Sequence, residues 1–322
     1  MKIKKLSENF TPLAEGIFFD IETECETPRD LVVEILELPT GEVVATQLLR
    51  NVLSATINIA PYMEHFAEYK PSVHHKTTFS EAPTATYKVR VEGIESEEVV
   101  VSINRSKIDE PPTLVTSFPL LRRIARGESD EVVVVSGKGN RIYVEIEDEN
   151  CAIFTFDYLP TSEASILTIS PDELDETIKS FEVTLYCEGQ VLGTLRYVIS
   201  TPLKSATRLA WISESGAIER YTFPKSYKTV LTTDKRSVLT SEGICTAHCQ
   251  AKQTISLCSR FESSKTIEAL AQIASSPKVW VEDDGGFTLV EVATPSIDYN
   301  IFGEPSHIHF DICLWQKEVA LW

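Results

Sequence analysis

The run ATYKVRVE (85–92), the turn GIES (93–96) and the run EEVVVSIN (97–104) decide the fold class of this chain. Apolar and polar residues alternate in the first run, the second is rich in valine, and the turn between them begins with glycine. This is the pattern of a β-hairpin. Similar pairs of runs follow at 131–147, 180–200, 207–223 and 278–294. The sequence therefore predicts a fold that is mainly all-β.

Segments outside these hairpins carry weaker patterns. A further hairpin is predicted at 31–49, where residues 39–41 are Pro-Thr-Gly. PYMEHFAEY (61–69) is predicted as a short helix that tolerates its first-turn proline. Two prolines and two histidines within residues 70–83 indicate a loop. FPLLRRIARGE (118–128) fits either a strand or a short helical turn.

One amphipathic helix is predicted near residues 265–275, with Ser264 as its N-cap and Pro277 as its stop. Apolar residues recur there at the spacing i, i+3, i+4 and i+7, which places them on one helical face. They are Ile267, Leu270, Ala271 and Ala274. We expect this face to pack on a sheet, and the run 307–315 to form a late strand.

Prolines divide the predicted strands into three units. Pro111-Pro112 marks one boundary and Pro202 a second. The predicted organisation is an N-terminal β-sandwich-like domain at 1–108, a second β-sandwich-like domain at 109–204, and a C-terminal β-rich domain with one helix at 205–322.

Composition excludes several classes of function. The 322 residues have a formal charge of −18, and such a field repels the phosphates of nucleic acid. No apolar run approaches the length of a membrane span or of a signal peptide, so neither membrane insertion nor export is expected. The seven cysteines are irregularly spaced, which argues against a disulfide framework and favours folding in a reducing cytosol.

No catalytic motif is present. The serine elbow G-x-S-x-G and the phosphate loop G-x-x-x-x-G-K-[ST] are absent. A pair of carboxylates could act in acid–base catalysis, but with 48 acidic residues some pair always looks suitable, so such a pair does not indicate an active site. The sequence therefore predicts a protein that is not an enzyme, with no catalytic and no cofactor-binding residues.

Two groups of residues resemble metal ligands, and each also has a simpler structural interpretation. The first group is Cys245, His248, Cys249 and Cys258. Its core ICTAHCQ reads as a strand, on which Cys245 and Cys249 share a face and His248 points to the other. We therefore expect these cysteines to be small buried apolar residues.

The second group is His307, His309 and Asp311, which alternate along a strand and share one face. Polar-out and apolar-in alternation is equally typical of an ordinary half-buried strand. Because no further ligand can be identified from the sequence, we predict no bound metal and no cofactor. Whether these three residues bind an ion stays open at this point.

Other candidates have simpler interpretations. Residues 282–286 (EDDGG) are acidic like a calcium loop but too short for an EF-hand, and they fit a hairpin tip. His74 and His75 lie in the predicted loop, where we expect solvent exposure. Tryptophans can stack on sugars, but strand positions favour core packing for three of the four. The four tryptophans are Trp211, Trp280, Trp315 and Trp322.

Three stretches, about a fifth of the chain, resemble uncharacterised virion proteins of tailed phages and prophages. They are LLRNVLSATINIAPYMEHF (48–66), TRLAWISESGAIERYTFP (207–224) and ALAQIASSPKVWVEDDGGFTLVEV (269–292). The resemblance implies a structural component of a phage tail or baseplate, made in the bacterial cytoplasm and located in the virion. Its expected partners are other copies of itself and neighbouring tail proteins.

Two further functions are compatible with the size and the strand content. One is a receptor- or glycan-binding adhesin module, which would use exposed aromatic residues. The other is a polysaccharide hydrolase. The missing catalytic motifs disfavour the hydrolase, and the missing export signal disfavours a secreted adhesin.

Overall fold

A computed structural model of the chain describes residues 1–9, 11, 15–63, 71–82, 84–102, 112–162, 164–201, 203, 205–214, 216–241, 243–283, 286–294 and 305–315. These residues form sheets that are antiparallel except for one parallel pair, with two short α-helices. The predicted all-β fold is confirmed. No helix in the described part is long and apolar enough to span a membrane.

The first unit contains two sheets around one core. The first sheet has the order β1-β2-β5, and the second has the order β4-β3-β7-β8, with β9 also pairing with β7. The strands are β1 (Lys2–Lys5), β2 (Phe18–Glu22), β3 (Arg29–Leu38), β4 (Glu42–Val52), β5 (Ser54–Asn58), β7 (Thr84–Val91), β8 (Ile94–Glu95) and β9 (Val99–Ser102). Phe19, Ile35 and Tyr87 belong to their shared core. This arrangement confirms the predicted hairpin at 31–49.

The predicted helix at 61–69 is observed only as the single turn α1 (Ala60–Met63), because residues 64–70 lie outside the described part. The predicted loop at 70–83 is wrong at its end. Residues Thr78–Glu81 form β6, which pairs with β15 (Ala164–Ile169) of the second unit. A four-residue strand was not visible in the sequence because its partner lies about 90 positions later.

The second unit is also a pair of sheets. The orders are β10-β12-β15-β6 and β11-β17-β16-β13-β14. Their remaining strands are β10 (Thr113–Val115), β11 (Leu121–Ala125), β12 (Asp130–Val135), β13 (Ile142–Asp148), β14 (Ile153–Tyr158), β16 (Ser180–Cys187) and β17 (Gln190–Ser200). The ambiguous run 118–128 therefore contains a strand, β11, which is parallel to β17.

Strand β12 is buried on both faces, which is typical of a strand whose apolar residues form an unbroken run. Val132 and Val134 belong to the core of the second unit, whereas Val133 and Val135 pack with Ala210 and other residues of the third unit. The second and third units are therefore stacked layers that share this strand.

The third unit is one seven-stranded sheet with the order β19-β18-β22-β23-β24-β21-β20. Its strands are β18 (Thr207–Ile212), β19 (Ile218–Phe223), β20 (Lys225–Thr240), β21 (Gly243–Cys258), β22 (Val279–Asp283), β23 (Gly286–Val292) and β24 (His309–Trp315). The boundaries predicted between units stay predictions, because residues 103–111, 202 and 204 lie outside the described part.

The predicted helix is confirmed as α2 (Ser264–Ala271), and Ile267 and Leu270 are buried in the core of the third unit. Two details of the prediction are wrong. The N-cap is Ser263, whose side chain accepts a hydrogen bond from the backbone N–H of Thr266. Ile273, not Ala274, packs inward, because the last turn tightens into a 3-10 helix that rotates the buried face.

Candidate functional site

The most unusual feature of the third unit is a long hairpin formed by β20 and β21, which we call the arm (residues 225–258). Each strand has 16 residues, a length of about 50 Å at the usual rise per residue. Strand β24 pairs with β21 only over Lys252–Cys258. In the described part of the chain, the portion of the arm between Lys252 and the tip forms strand pairs only between β20 and β21.

Local sequence explains why the arm adopts strands. Threonine and valine recur along β20, and these residues favour extended backbone. Thr240 pairs with Gly243 across the tip, where Gly243 has a φ of +122° that side-chain-bearing residues rarely adopt. The ladder continues to Lys225 opposite Cys258, with a β-bulge between Arg236 and Ser237.

The tip of the arm exposes apolar side chains. Leu239 is 82% exposed and Ile244 is 79% exposed, and Leu231 and Val238 are also exposed. The arm carries five basic and two acidic residues, which gives it a net charge of +3. Because the whole chain has a charge of −18, the residues outside the arm have a net charge of −21. An isolated two-stranded ribbon is marginally stable in water. The arm therefore combines a positive net charge with exposed apolar side chains near its tip.

A network of buried charged residues joins the second unit to the third. Within the described residues, three ion pairs cross between the units: Arg122–Glu219 at 3.4 Å, Arg208–Glu128 at 3.1 Å and Arg220–Glu131 at 2.5 Å. The arginine side chains are almost completely buried. Buried charges require such partners, since an unpaired charge in the interior is strongly destabilising.

Backbone groups complete this network. The carbonyl oxygen of Ser129 accepts hydrogen bonds from Arg208 Nη2 at 2.6 Å and from Arg220 Nη1 at 3.0 Å. Arg208 Nε also donates to Glu282 Oε2 at 3.1 Å. One loop carbonyl of the second unit thus binds two arginines from adjacent strands of the third, which restricts rotation between the units.

The pKa values within the network follow from burial and from the arginines. Burial favours the neutral form of Asp130, but the positive charges of Arg122 and Arg208, together with the hydrogen bonds from Arg122 and Tyr197, outweigh it and lower the pKa of this carboxyl group. For Glu219 burial dominates, and the pKa is raised despite the attraction of Arg122. Arg122 itself has a raised pKa, because Asp130 and Glu219 outweigh the effect of burial.

A cleft of about 210 Å³ lies beside the network, and its lining includes Arg122, Asp130 and Glu128. Asp130 accepts hydrogen bonds from Arg122 Nη1 at 2.6 Å and from the Tyr197 hydroxyl group at 2.9 Å. Glu128 binds Arg208. Asp130 and Glu128 are thus held by arginines, and the Glu128–Arg208 pair links the second unit to the third.

The tryptophans considered as sugar-stacking residues lie in the core where they are described. Trp211 is fully buried, and Trp280 is nearly so. The expectation of core packing is confirmed for these two. The side chain of Trp315, and the whole of Trp322, lie outside the described residues.

The acidic turn at 282–286 and the histidine pair have structural contacts. Glu282 binds Arg208 in the buried network, and Asp283 pairs with Gly286 at the tip of the β22–β23 hairpin. The predicted hairpin tip is confirmed. His75 is exposed, as expected, and its Nδ1 lies 3.1 Å from Asp172 Oδ2, whereas His74 is half-buried.

The first group of candidate metal ligands is not brought together as a whole. The predicted strand is confirmed, and it separates Cys245 from Cys258 by thirteen positions, or about 40 Å. The expected burial is wrong for Cys245, which is exposed, and Cys258 is only half-buried. The side chains of His248 and Cys249 lie outside the described residues.

In the structure, the histidines of the second group of candidate metal ligands lie next to Cys258, a residue of the first group. His309 opens β24 directly opposite Cys258, the last residue of β21. The potential ligand atoms of Cys258, His307 and His309 all lie within 4.8 Å of one another. Cys258 is therefore a third potential ligand, which could not be identified from the sequence. The sequence did not reveal Cys258 because strand register, not sequence spacing, places it beside the two histidines.

Comparisons with known proteins add no functional assignment. No family model and no curated protein matches the chain. It is similar to the chicken interferon gamma receptor alpha chain, with 12% identity over 62% of this chain and 97% of that one, and a TM-score of 0.19. It is similar to a tetra-tandem repeat of a large adhesion protein, with 8% identity over 79% of this chain and 69% of that one, and a TM-score of 0.24. It is also similar to domains 4–9 of the surface layer protein SbsC, with 11% identity over 97% of this chain and 42% of that one, and a TM-score of 0.21. Such low TM-scores support no conclusion about function, and none of the three is a phage tail protein.

Proposed function

We propose that this chain is a structural subunit of a phage tail or baseplate that joins further copies of itself through the arm. The observation that carries the proposal is the arm itself, a ribbon of two 16-residue strands with exposed Leu239 and Ile244 at its tip. A ribbon of this kind gains stability from a second surface that pairs with its edge and covers its apolar side chains. A neighbouring subunit supplies such a surface.

The hairpin of β13 and β14 is the best-matched receptor for the arm. Residues 142–158 contain five acidic and no basic residues, the opposite charge to the arm. Strand β14 is an edge of its sheet in the described part, and Ile153 and Phe154 on it are exposed. An edge strand with free backbone groups and apolar side chains accepts a further strand by β-augmentation.

The position of these two surfaces determines the type of assembly. The arm belongs to the third unit and β14 to the second, so one copy would present both a donor and an acceptor. Such head-to-tail contacts generate a ring when the rotation closes, and a filament when it does not. The buried network between the two units holds donor and acceptor in one orientation, which a closed ring requires. A stable contact would bury more than about 1,000 Å².

The assignment to a virion rests on the resemblance of three stretches to tail proteins. Residues 207–224 contain the β18–β19 hairpin, and 269–292 contain the end of α2 and the β22–β23 hairpin. Neighbouring tail proteins would then bind the remaining surfaces. On this proposal the chain works by protein–protein assembly and has no turnover chemistry.

Deletion of the gene in its native phage or prophage tests this proposal. We expect electron microscopy to show unassembled or truncated tails, restored by the wild-type gene but not by a Leu239→Asp/Ile244→Asp variant. Intact and infectious particles without the protein would contradict the structural role. Particles that assemble normally but fail to adsorb to cells would instead favour the receptor- or glycan-binding alternative.

A further inference from the structure

Cys258, His307 and His309 form a compact cluster at the root of the arm. Cys258 ends β21, His309 begins β24 opposite it, and His307 lies two residues earlier on the same extended segment. The Sγ atom of Cys258 lies 3.9 Å from Nε2 of His309. The two imidazole rings are nearly perpendicular, at 85°, with 4.9 Å between their centroids.

Backbone contacts hold these residues in place. Ser259 N–H donates to the carbonyl oxygen of Ile308 at 3.0 Å, and Ile308 N–H donates to Ser259 Oγ at 3.0 Å. Ile308 and Phe310 are buried in the core, and they alternate with the two exposed histidines. The histidines therefore project outward from an extended segment that these contacts anchor.

The ligand set and its spacing match the requirements of zinc. A thiolate and two imidazoles are common zinc ligands, and a tetrahedral ion separates its sulfur and nitrogen ligands by about 3.3–3.6 Å. The observed separation of 3.9 Å between Cys258 and His309 needs only a small side-chain rotation to reach this value. Phe261 packs edge-on against His307 at 5.0 Å and gives the site an apolar wall on one side.

We propose that Cys258, His307 and His309 bind one zinc ion through Sγ and two ring nitrogens. The ion cross-links the end of β21 to the start of β24 and so clamps the root of the arm to the sheet. Three protein ligands leave a fourth tetrahedral position, which water or a donor from another molecule fills. The site rests on its own geometry and does not depend on the assembly role of the arm.

Zinc binding to the purified full-length protein tests the site. The protein is freed of metal with a chelator, dialysed, and titrated with zinc in a calorimeter, with the bound metal counted by elemental analysis after a second dialysis. We expect one zinc ion per chain. Cobalt serves as a second probe, because a thiolate ligand produces a sulfur-to-cobalt charge-transfer absorption, which we expect to be lost in Cys258→Ser.

Matched variants separate this site from its alternatives. We expect Cys258→Ser, His307→Ala and His309→Ala each to weaken zinc binding at least tenfold. Cys245→Ser tests the other cysteine group and Cys25→Ser tests an exposed thiol of the first unit, and both should bind zinc like the wild type. Circular dichroism verifies that each variant is folded. Failure of the wild type to retain zinc, or loss of zinc only in Cys245→Ser, would overturn the proposal.

Discussion

The interface between the second and third units buries charged side chains, whereas the arm exposes apolar ones. At the interface, Arg208 and Arg220 are almost fully buried, and the three ion pairs named above link opposite charges across it. On the arm, Leu239 and Ile244 project into solvent from a ribbon with a net positive charge. Each region departs from the usual distribution of polar and apolar residues, in opposite directions.

The difference separates a contact that is complete within one chain from one that is not. The buried charges already have their partners, so the relative position of two units is set during folding. Leu239 and Ile244 near the tip of the arm are left exposed by the folded monomer, and on the proposed assembly role a second molecule would bury them. On this view the network provides rigidity and the arm provides assembly, and substitutions in the two regions should affect different measurements.

The largest effect on folding is expected from Arg220→Ala. This substitution leaves Glu131 buried without its ion pair and removes the hydrogen bonds to Ser129 and Ser72. We expect the free energy of unfolding to fall by about 3–5 kcal/mol in a urea titration. Arg141→Ala, which breaks an exposed pair with Asp157, is the control and should cost at most about 1 kcal/mol. Equal losses in the two variants would contradict the account of the network.

Leu270→Ala should have the next largest effect. Leu270 is 0% exposed in the core beneath α2, so its truncation leaves a cavity. We expect a loss of about 2–4 kcal/mol in the same titration. Leu239→Ala removes the same atoms from an exposed position on the arm and should change stability by less than about 0.5 kcal/mol. A loss well below 1 kcal/mol for Leu270→Ala would mean that α2 is not docked.

A smaller, pH-dependent contribution to the free energy of unfolding is expected from Glu81, where β6 joins the second unit. Burial acts to raise the pKa of Glu81, but hydrogen bonds from Ser162, Tyr158 and Thr161 outweigh it and lower the pKa to about 2 from its model-compound value of 4.5. Because the folded-state pKa is depressed, this carboxylate stabilises the fold above pH 4.5, and its contribution is lost as the pH falls from 4.5 towards 2.

Glu81→Gln isolates this contribution from the other carboxylates. We expect the stability of the wild type to fall more steeply than that of Glu81→Gln between pH 4.5 and pH 2, as measured by urea midpoints at each pH. Above that window the wild type should be the more stable of the two. Parallel pH profiles for the two proteins would show that Glu81 does not fasten β6.

Local sequence patterns were sufficient for most strands and for hairpin partners, but not for β6 or for pairings between distant parts of the chain. The alternation in 85–92 and the valine run of β12 predicted strands correctly, because pleat geometry and burial act on neighbouring residues. The attachment of β6 to β15 was missed because it depends on contacts about 90 residues apart. The 3-10 turn that buries Ile273 was missed because tertiary packing overrides the helical period there.

The candidate sites show the same limit. Strand alternation placed His307 and His309 together, yet their third neighbour, Cys258, precedes His309 by 51 residues and is brought to it by the pairing of β21 with β24. The buried network is likewise assembled from residues whose charges look ordinary in the sequence. Its only sequence-level sign was acidic and basic residues within strand patterns, such as Glu219 and Arg220 in β19.

Sedimentation equilibrium of the purified protein and of a Leu239→Asp/Ile244→Asp variant tests most directly whether the arm mediates self-association. We expect the wild type to self-associate with increasing concentration and the variant to stay monomeric. Both should unfold with free energies within about 0.5 kcal/mol of each other, since the substituted side chains are exposed. An Ile153→Asp/Phe154→Asp variant, which alters the acceptor strand, should also stay monomeric. A wild type that stays monomeric at every concentration, or arm variants that associate as the wild type does, would contradict the central claim.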